Sequence, residues 1–411
     1  MTATQRRRTV LAVNAGSSSL KFGLYAEGQP RALWSGQFEG LEPGGRPRWR
    51  SGNGPLQDLP ADAGAHAGAF DAALALLVPQ VVGRATQLDA VVHRIVHGGA
   101  EFVAACLLDA PTIERLRKLA PLAPLHQPHN LAGVAAFARA LPGVPQIGCF
   151  DTAFHASLPP AERALPLPAE LSALGLRRYG FHGLSYAHAV QALAERSARA
   201  ASGRALLAHL GNGASLCAVE GGRSVATTMG FSALDGLMMG TRSGSLDPGV
   251  ILHLWSMGWT RERIERLLYK ESGLLGVSGL SADMRVLRAS GSAAAQAAIA
   301  LYTQRIVRES GALAALLGGI DLLAFTGGIG EHDAALRAEV AARLGFLGIE
   351  LDHAANDRAD GSQSAVPVHA AASRVEVWVV AADEGAAAAR ETFAWLDRQA
   401  ASTAATPARR G

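Results

Sequence analysis

Three stretches of this chain put small residues, hydroxyls or a positive charge where an anion can approach bare backbone. In Asn14-Ala-Gly-Ser-Ser-Ser-Leu-Lys21 a glycine and serine turn joins two apolar runs, 10–13 and 20–25. Its N–H groups and hydroxyls are donors, and Lys21 adds charge just beyond. Taken alone, the same residues also read as an ordinary serine-rich hairpin turn. The pattern then recurs, with the apolar run 205–210, the turn Gly211-Asn-Gly213 and the returning run 214–219. In the third stretch, Thr326-Gly-Gly-Ile-Gly330 links the apolar run 322–325 to a helix-periodic segment, 331–344. Strand, glycine turn and helix start make a seat for a nucleotide or other anion, because the backbone comes close and the positive end of the helix dipole faces it. Asp151 and Glu384 each stand at the end of an apolar run, where α/β sheets carry reactive groups. An N-cap for Asp151 and plain turn polarity for Glu384 are the structural alternatives.

Several chemistries are excluded. Lys21 is not part of a Walker sequence, because Leu20 stands where its second glycine belongs and Phe22 follows. Gly211-Asn-Gly213 runs into Ala-Ser-Leu, so no complete dinucleotide fingerprint is present. Pro128 between His126 and His129 argues against a helical metal-binding pair, leaving two loop histidines. No G-x-S-x-G nucleophile elbow occurs.

The elements that must position these residues alternate between strand and helix periodicity. Strands are expected at 10–13, 20–25, 31–38, 89–92 and 144–150, with helices at 70–82, 111–119 and 131–141, the last starting at Asn130. Residues 40–68, rich in Gly, Pro and Asp, read as an exposed loop or loose hairpin. A proline-rich loop then leads to a helix at 186–201. The second half repeats the opening with strands at 205–210, 214–219 and 224–228, then 322–325, the helix 331–344, a strand at 375–381 and a helix at 386–400. The duplicated strand, turn, strand, turn, strand pattern predicts an α/β protein of two similarly built halves whose turns hold a polyphosphate in a cleft.

The chain has 411 residues, 49% hydrophobic and 18% charged, which is enough to bury large cores in about two domains. Net charge is +3 with scattered arginines, and the one dense cluster, Arg46-Pro-Arg-Trp-Arg50, lies in a Gly/Pro-rich loop. No nucleic acid partner is expected. Cys106, Cys149 and Cys217 are odd in number, far apart and in apolar surroundings, as reduced cytoplasmic thiols would be. The early run of arginines is cut off from an export signal by Asn14, and Pro79 interrupts the most apolar segment. A cytoplasmic protein with no membrane partner is expected.

Seven motifs, in order and spanning nearly the whole chain, resemble the acetate kinase family: Asn14-Ala-Gly-Ser-Ser-Ser-Leu-Lys21, His93-Arg-Ile-Val-His-Gly-Gly99, Phe150-Asp-Thr-Ala-Phe-His155, Tyr179-Gly-Phe-His-Gly183, His209-Leu-Gly-Asn-Gly213, Gly236-Leu-Met-Met-Gly-Thr-Arg242 and Phe325-Thr-Gly-Gly-Ile-Gly-Glu331. The resemblance implies two duplicated actin-like ATPase (ribonuclease H-like) domains with an interdomain active-site cleft. The expected N-terminal domain is 1–155, completed by the helix 386–400. The nucleotide-binding domain is 156–385, and 401–411 is a disordered tail. The implied reaction is reversible transfer of the ATP γ-phosphoryl group to acetate, with Mg²⁺ (or Mn²⁺) and a homodimeric enzyme.

The roles that follow are those the resemblance implies. Phosphoryl transfer to a carboxylate brings two anions together, so the protein must supply donors and positive charge. Arg94 would hold the acid, while Arg242 and His182 would stabilise the in-line transition state and Asp151 would act on the carboxylate and metal arrangement. Without the family, His182 reads more readily as a satisfied core histidine than as a catalytic one, and Arg242 reads equally as a helix-end or surface arginine. Val96, Leu125 and Phe181 would line the acyl pocket, or simply serve the core. Ser17, Ser19, Lys21, His209, Asn212 and Gly213 would contact phosphate. Asp283, Arg285, Gly328 and Gly330 would serve the nucleoside side, and Asn14 and Glu384 the metal.

The chain also departs from the family. Leu184 and Tyr186 replace a threonine and a histidine, Ala233 a proline that narrows the acyl pocket, and Ser245 an acid. Asp383-Glu384-Gly385 keeps one of two carboxylates of the family's Thr-Asn-Glu-Glu. Propionate or butyrate is therefore a rival acceptor. An actin- or chaperone-like ATPase is the rival of another class, but it has no need of Arg94 and Arg242.

Overall fold

Apolar runs flanked by small-residue turns become strands at both places where the sequence repeats. The computed structural model describes residues 6–52, 54–59, 68–85, 87–124 and 126–405. The chain divides into two units, Met1–Ala153 with Asp383–Gly411, and Phe154–Ala382. The first unit thus takes in Glu384, placed in the second domain by the sequence boundaries.

The first unit carries β1 (Thr9–Ala15), β2 (Ser19–Ala26), β3 (Trp34–Glu39), β4 (Arg48–Ser51), β5 (Gln57–Asp58), β6 (Ala90–Ile95), β7 (Cys106–Leu107) and β8 (Gln146–Phe150). They form one sheet in the order β5-β4-β3-β2-β1-β6-β8-β7. β1 pairs antiparallel with β2, setting Asn14 opposite Lys21, and parallel with β6. Parallel neighbours and covering helices bury both faces of such strands, which is why the sequence there is almost continuously apolar. The helices Ala69–Arg84 and Gln127–Ala140 cover one face, packing Leu77, Val81 and Phe137 against Leu11, Val13 and Phe22. The helix Glu384–Ala405 packs on β1 and β6, and Ala388 in it accepts a weak hydrogen bond from Cys149 of β8.

The second unit carries β9 (Arg204–Leu210), β10 (Ala214–Glu220), β11 (Arg223–Thr227), β12 (Leu322–Thr326), β13 (Ala365–Pro367) and β14 (Glu376–Val380), in the order β11-β10-β9-β12-β14-β13. This repeats β3-β2-β1-β6-β8-β7 strand for strand. In each set two antiparallel hairpins are followed by two parallel strands and an antiparallel edge strand. The duplication read from the turns is therefore a duplication of whole sheets, and the α/β class follows. The helix Gly183–Ala194 packs Tyr186, Ala189 and Leu193 on Leu207, Cys217 and Ala324, while Ala293–Leu316 packs on β9, β10 and β11.

Some element limits differ from expectation for identifiable reasons. Asn130 does not start a helix. The helix begins at Gln127, with Pro128 in its first turn, where a missing N–H is tolerated. The Asn130 amide instead ties two strands together, donating to Ala15 O at 2.8 Å and accepting the Val96 N–H at 3.0 Å. The helix expected over 186–201 is two, Gly183–Ala194 and Ala198–Ser202, the second capped by Ser197. The glycine turn after β12 is itself helical, giving Gly327–His332 and then Ala334–Arg343. The terminal helix runs on through 401–405 of the expected tail, and 406–411 lie outside the described residues. Pro79 sits within a helix, and among the described residues no helix is long and apolar enough to cross a membrane.

His93 belongs to this framework. Its ring is buried in β6, edge-on to Phe137, with Nε2 2.8 Å from Gln146 Oε1. Burial drives its pKa down to about 4, against partial support from Gln146. Below the ordinary value near 6.5 the unfolded chain takes up this proton and the folded chain does not, so stability is lost as pH falls toward 4. Between pH 7 and 5 this one group removes about 2 kcal/mol. His93→Gln is expected to flatten that slope in urea unfolding at the two pH values. Equal slopes for variant and parent would refute the assignment.

Candidate active site

In the first unit three segments remote in sequence converge on Arg94. The guanidinium projects from β6 and takes Asp151, just past β8, in a forked pair: Nε to Oδ1 at 2.9 Å and Nη2 to Oδ2 at 2.6 Å. Its Nη1 lies 3.2 Å from Glu384 Oε2, at the first residue of the terminal helix. The Asp151 side chain is only 2% exposed, while Arg94 and Glu384 keep about a fifth of their surface. Burial works against the Arg94 charge, but Asp151 and Glu384 outweigh it and raise its pKa. Asp151 is thus a forked ion-pair partner of Arg94.

Glu384 is aimed by its neighbours. Asp383 caps the terminal helix, accepting from Ala386 N at 2.8 Å, and also accepts the Tyr25 hydroxyl at 2.6 Å. A Cβ on Gly385 would lie 2.5 Å from that same hydroxyl oxygen. Tyr25 thus occupies the space of a side chain at 385, so the second glutamate of the family's pattern has no room there. Asn14 is half-buried near the end of β1, Ser17 and Lys21 are exposed and Ser19 is half-buried around the adjoining turn. Val96 is buried after β6, and Leu125 lies outside the described residues. Among the described residues no group of three or more His, Cys, Asp and Glu side chains forms a metal cage. Two carboxylates suffice for Mg²⁺ when waters and nucleotide phosphates complete its shell, so Asp151 and Glu384 fit such an ion.

In the second unit a cluster forms around the Gly211–Gly213 turn. His182 and His209 stack with ring centroids 4.1 Å apart and 24° between planes. Each ring meets a serine hydroxyl at Nδ1, His182 with Ser215 and His209 with Ser185, both at 2.8 Å. A Cβ on Gly213 would lie 3.0 Å from His182 Nε2 and 3.8 Å from Arg242 Nη1. One on Gly211 would lie 3.7 Å from His209 Nε2 and 3.9 Å from the Gly328 nitrogen. The bare turn is thus faced by two imidazoles, a guanidinium and the start of the next glycine turn. Asn212 folds against Gly240, whose N–H it receives at 3.0 Å, and Arg242 Nη1 donates to Ala233 O at 2.9 Å.

His182 has φ +59°, the one left-handed non-glycine residue among those described, a conformation that costs energy and needs support. The support comes from His155, buried below, whose Nε2 donates to Phe181 O at 2.9 Å while Nδ1 meets Ser224 at 2.8 Å. Burial lowers the His155 pKa to about 4, so this ring is a neutral strut at neutral pH.

A family model described as the acetokinase family matches residues 9–390. The chain belongs to the acetokinase family. It is 46% identical over 399 residues to an acetate kinase of Rhodopseudomonas palustris, covering 94% of this chain and 98% of that one. The structure superposes on the crystal structure of Porphyromonas gingivalis acetate kinase with a TM-score of 0.83 at 36% identity, covering 95% and 100% of the two chains. A propionate kinase from Francisella tularensis gives 0.82 at 32% identity, covering 93% and 98%. The acetokinase chain is thus a phosphotransferase that uses a carboxylate as acceptor.

Other acetokinase motif positions have local structural duties. Asp283 caps the helix Met284–Ser290 through the Arg285 N–H and pairs with the Arg285 side chain at 2.6 Å, leaving that arginine 87% exposed. Gly327 has φ +79°, and a Cβ there would meet Leu210 O at 2.8 Å. Gly328 faces open space, whereas Gly330 is buried against Phe325. Phe181 is buried with its carbonyl on His155. Ser245 donates to Asp235 at 2.7 Å and accepts the Gly236 N–H at 3.0 Å, so an acid at 245 would oppose Asp235 directly.

Sequence reasoning missed Arg337. It is fully buried and donates to the carbonyls of Gly330, Glu331, Asn356 and Ala359 and to Asn356 Oδ1, fastening the end of the glycine turn. Burial pulls its pKa down, while Asp333 and Asp357 push the other way. Its phase was a signal: Arg337 shares the apolar helix face of Val340, Ala341 and Leu344.

Proposed function

We propose that the enzyme transfers the ATP γ-phosphoryl group to acetate reversibly, giving acetyl phosphate and ADP. Arg94, held between Asp151 and Glu384, is the observation that carries the reading. Acetate is already ionised at neutral pH, so its oxygen attacks without surrendering a proton. One P–O bond to ADP breaks as one to the acid forms, and no enzyme nucleophile or general base is required. Asp151 accordingly acts through Arg94 and would help hold the metal, and its pairing with Arg94 suits that duty better than proton removal. The Arg94 edge toward Glu384 is the part that can turn to the substrate carboxylate.

Arg242 and the Nε2 side of His182 are assigned to the equatorial oxygens of the transferring group, where charge accumulates in the transition state. The Gly16 and Gly211 turns, with Ser17, Ser19, Lys21, His209, Asn212 and Gly213, hold phosphates. Gly328 admits the adenosine, with Asp283 and Arg285 beside it and Gly330 shaping the turn. Mg²⁺ or Mn²⁺, held by Asp151 and Glu384 with Asn14 in support, would neutralise phosphate charge. Val96, Leu125 and Phe181 are proposed to enclose the methyl group. Ala233 in place of a proline leaves propionate and butyrate as competing acceptors, and the likeness to a propionate kinase supports testing them. The free cysteines, two of them buried, suit a cytoplasmic enzyme.

A hydroxamate trap with ATP and each short acid tests the reaction, with acetate expected to have the highest kcat/KM. ATP hydrolysis indifferent to every acid would overturn the reading. Arg242→Ala is expected to lower kcat about a hundredfold to a thousandfold, whereas a change confined to KM would reassign it to binding.

The enzyme is also proposed to be a homodimer. The helix Pro248–Ser256 buries none of its residues, leaving Leu252 69% and Trp255 66% exposed, with Met257 61% exposed just beyond. Such a concentrated apolar surface is characteristic of association sites. Sedimentation velocity is expected to give twice the chain mass, and Trp255→Glu to shift it toward the monomer. A monomeric parent protein would reject the assignment.

A further inference from the structure

The hydroxyl bonds behind His182 carry one more inference, which rests on the reading above only for its kinetic consequence. Ser215 is wholly buried in β10 and touches two polar partners, His182 Nδ1 at 2.8 Å and the Tyr186 hydroxyl at 2.5 Å. Tyr186, also wholly buried, stands one turn along the helix that His182 begins. Three groups in a row share two exchangeable hydroxyl protons, so the direction of one bond fixes the direction of the next.

That direction can be worked out from Tyr186. The partner of its hydroxyl is Ser215 Oγ, so that bond must take up the phenol proton. Burial raises the phenol pKa well above its ordinary value, so the hydroxyl keeps its proton. Among the described residues the acceptor placed for that proton is Ser215 Oγ, and a buried hydroxyl without an acceptor is disfavoured. Ser215 therefore receives from Tyr186 and turns its own proton toward His182 Nδ1. A neutral imidazole that accepts at Nδ1 carries its proton at Nε2. This is the nitrogen that lies toward Gly213 and Arg242.

We propose that Tyr186 is a positioning residue: acting through Ser215, it selects the Nε2–H tautomer of His182 and so presents a donor to the phosphoryl oxygens. Position 186 departs from the family's pattern, which has an imidazole there, and the phenol that replaces it is buried in the core. Stacking on His209 holds the ring plane, and the hydroxyl pair decides which edge donates. The ring of Tyr186 is itself fixed between Phe154 and His155, with centroids 6.1 and 5.7 Å away, so the relay is built into the packing.

The full-length enzyme labelled with ¹⁵N-histidine tests this directly. The His182 resonances are assigned by their loss in His182→Gln, and the tautomer is read from the Nδ1 and Nε2 shifts at neutral pH. The parent enzyme is expected to show an unprotonated Nδ1 and a protonated Nε2. Tyr186→Phe, which removes only the hydroxyl, is expected to give mixed tautomers. It should lower kcat about threefold to tenfold, the scale of one hydrogen bond, with KM for ATP and acetate changing less than about twofold. Tyr186→His, restoring a donor, is expected to recover part of both signals. A parent enzyme with the proton on Nδ1 overturns the proposal, whether or not the variants fold. So does a Tyr186→Phe enzyme with unaltered tautomer. If His182→Gln retains full kcat, the catalytic assignment of His182 fails, while the nitrogen shifts still judge the relay.

Discussion

The pairing of Arg94 with Asp151 and Glu384 is the constraint on which the first unit is arranged. A guanidinium sunk at a strand end is tolerable only beside compensating charge. β8 delivers Asp151 next to β6, and the chain returns from the second unit so that Glu384 opens the terminal helix beside them. Tyr25, Asp383 and Gly385 fit together to aim that helix start. The cluster holds one guanidinium between two carboxylates.

The second unit is arranged differently, with the Arg242 guanidinium beside hydrogen-bonded rings. Its glycine turn is faced by stacked imidazoles rather than by ion pairs, and their orientation comes from hydroxyls on β10 and on the helix after His182. The strained backbone at His182 persists because Ser215 and the His155 strut hold both ends of the bend. Arg337 serves the glycine turn in a similar way, using an arginine to collect carbonyl groups instead of a carboxylate. The hydroxyl–imidazole hydrogen bonds are directional, so they fix which way each ring faces.

Much of the fold was legible because its signals are local. Apolar runs broken by Gly and Ser gave the paired strands of both halves, and the recurrence of that pattern foretold two like sheets. Limits were less legible where a side chain had two uses. Asn130 has the composition of a helix cap, yet it spends its amide on Ala15 and Val96. Asp333 looks like an interior helix residue, yet it splits the helix after the glycine turn. The motif residues His182, His209, Gly213, Arg242 and Gly328 are dispersed in sequence, and the fold gathers them around one turn. Asp283 and Arg285, by contrast, are engaged chiefly with each other.

The sequence by itself determined the α/β class, the duplication, the family resemblance and the identity of the charged groups, because each rests on residue types at short spacing. Only the tertiary structure decided which charge meets which. Arg94 finds Glu384, Tyr25 closes the space at Gly385, and Tyr186 reaches Ser215 through contacts between strands and helices that no local pattern encodes. A hydrogen bond depends on distances of a few tenths of an ångström, and across remote segments those distances are set by how whole sheets and helices pack.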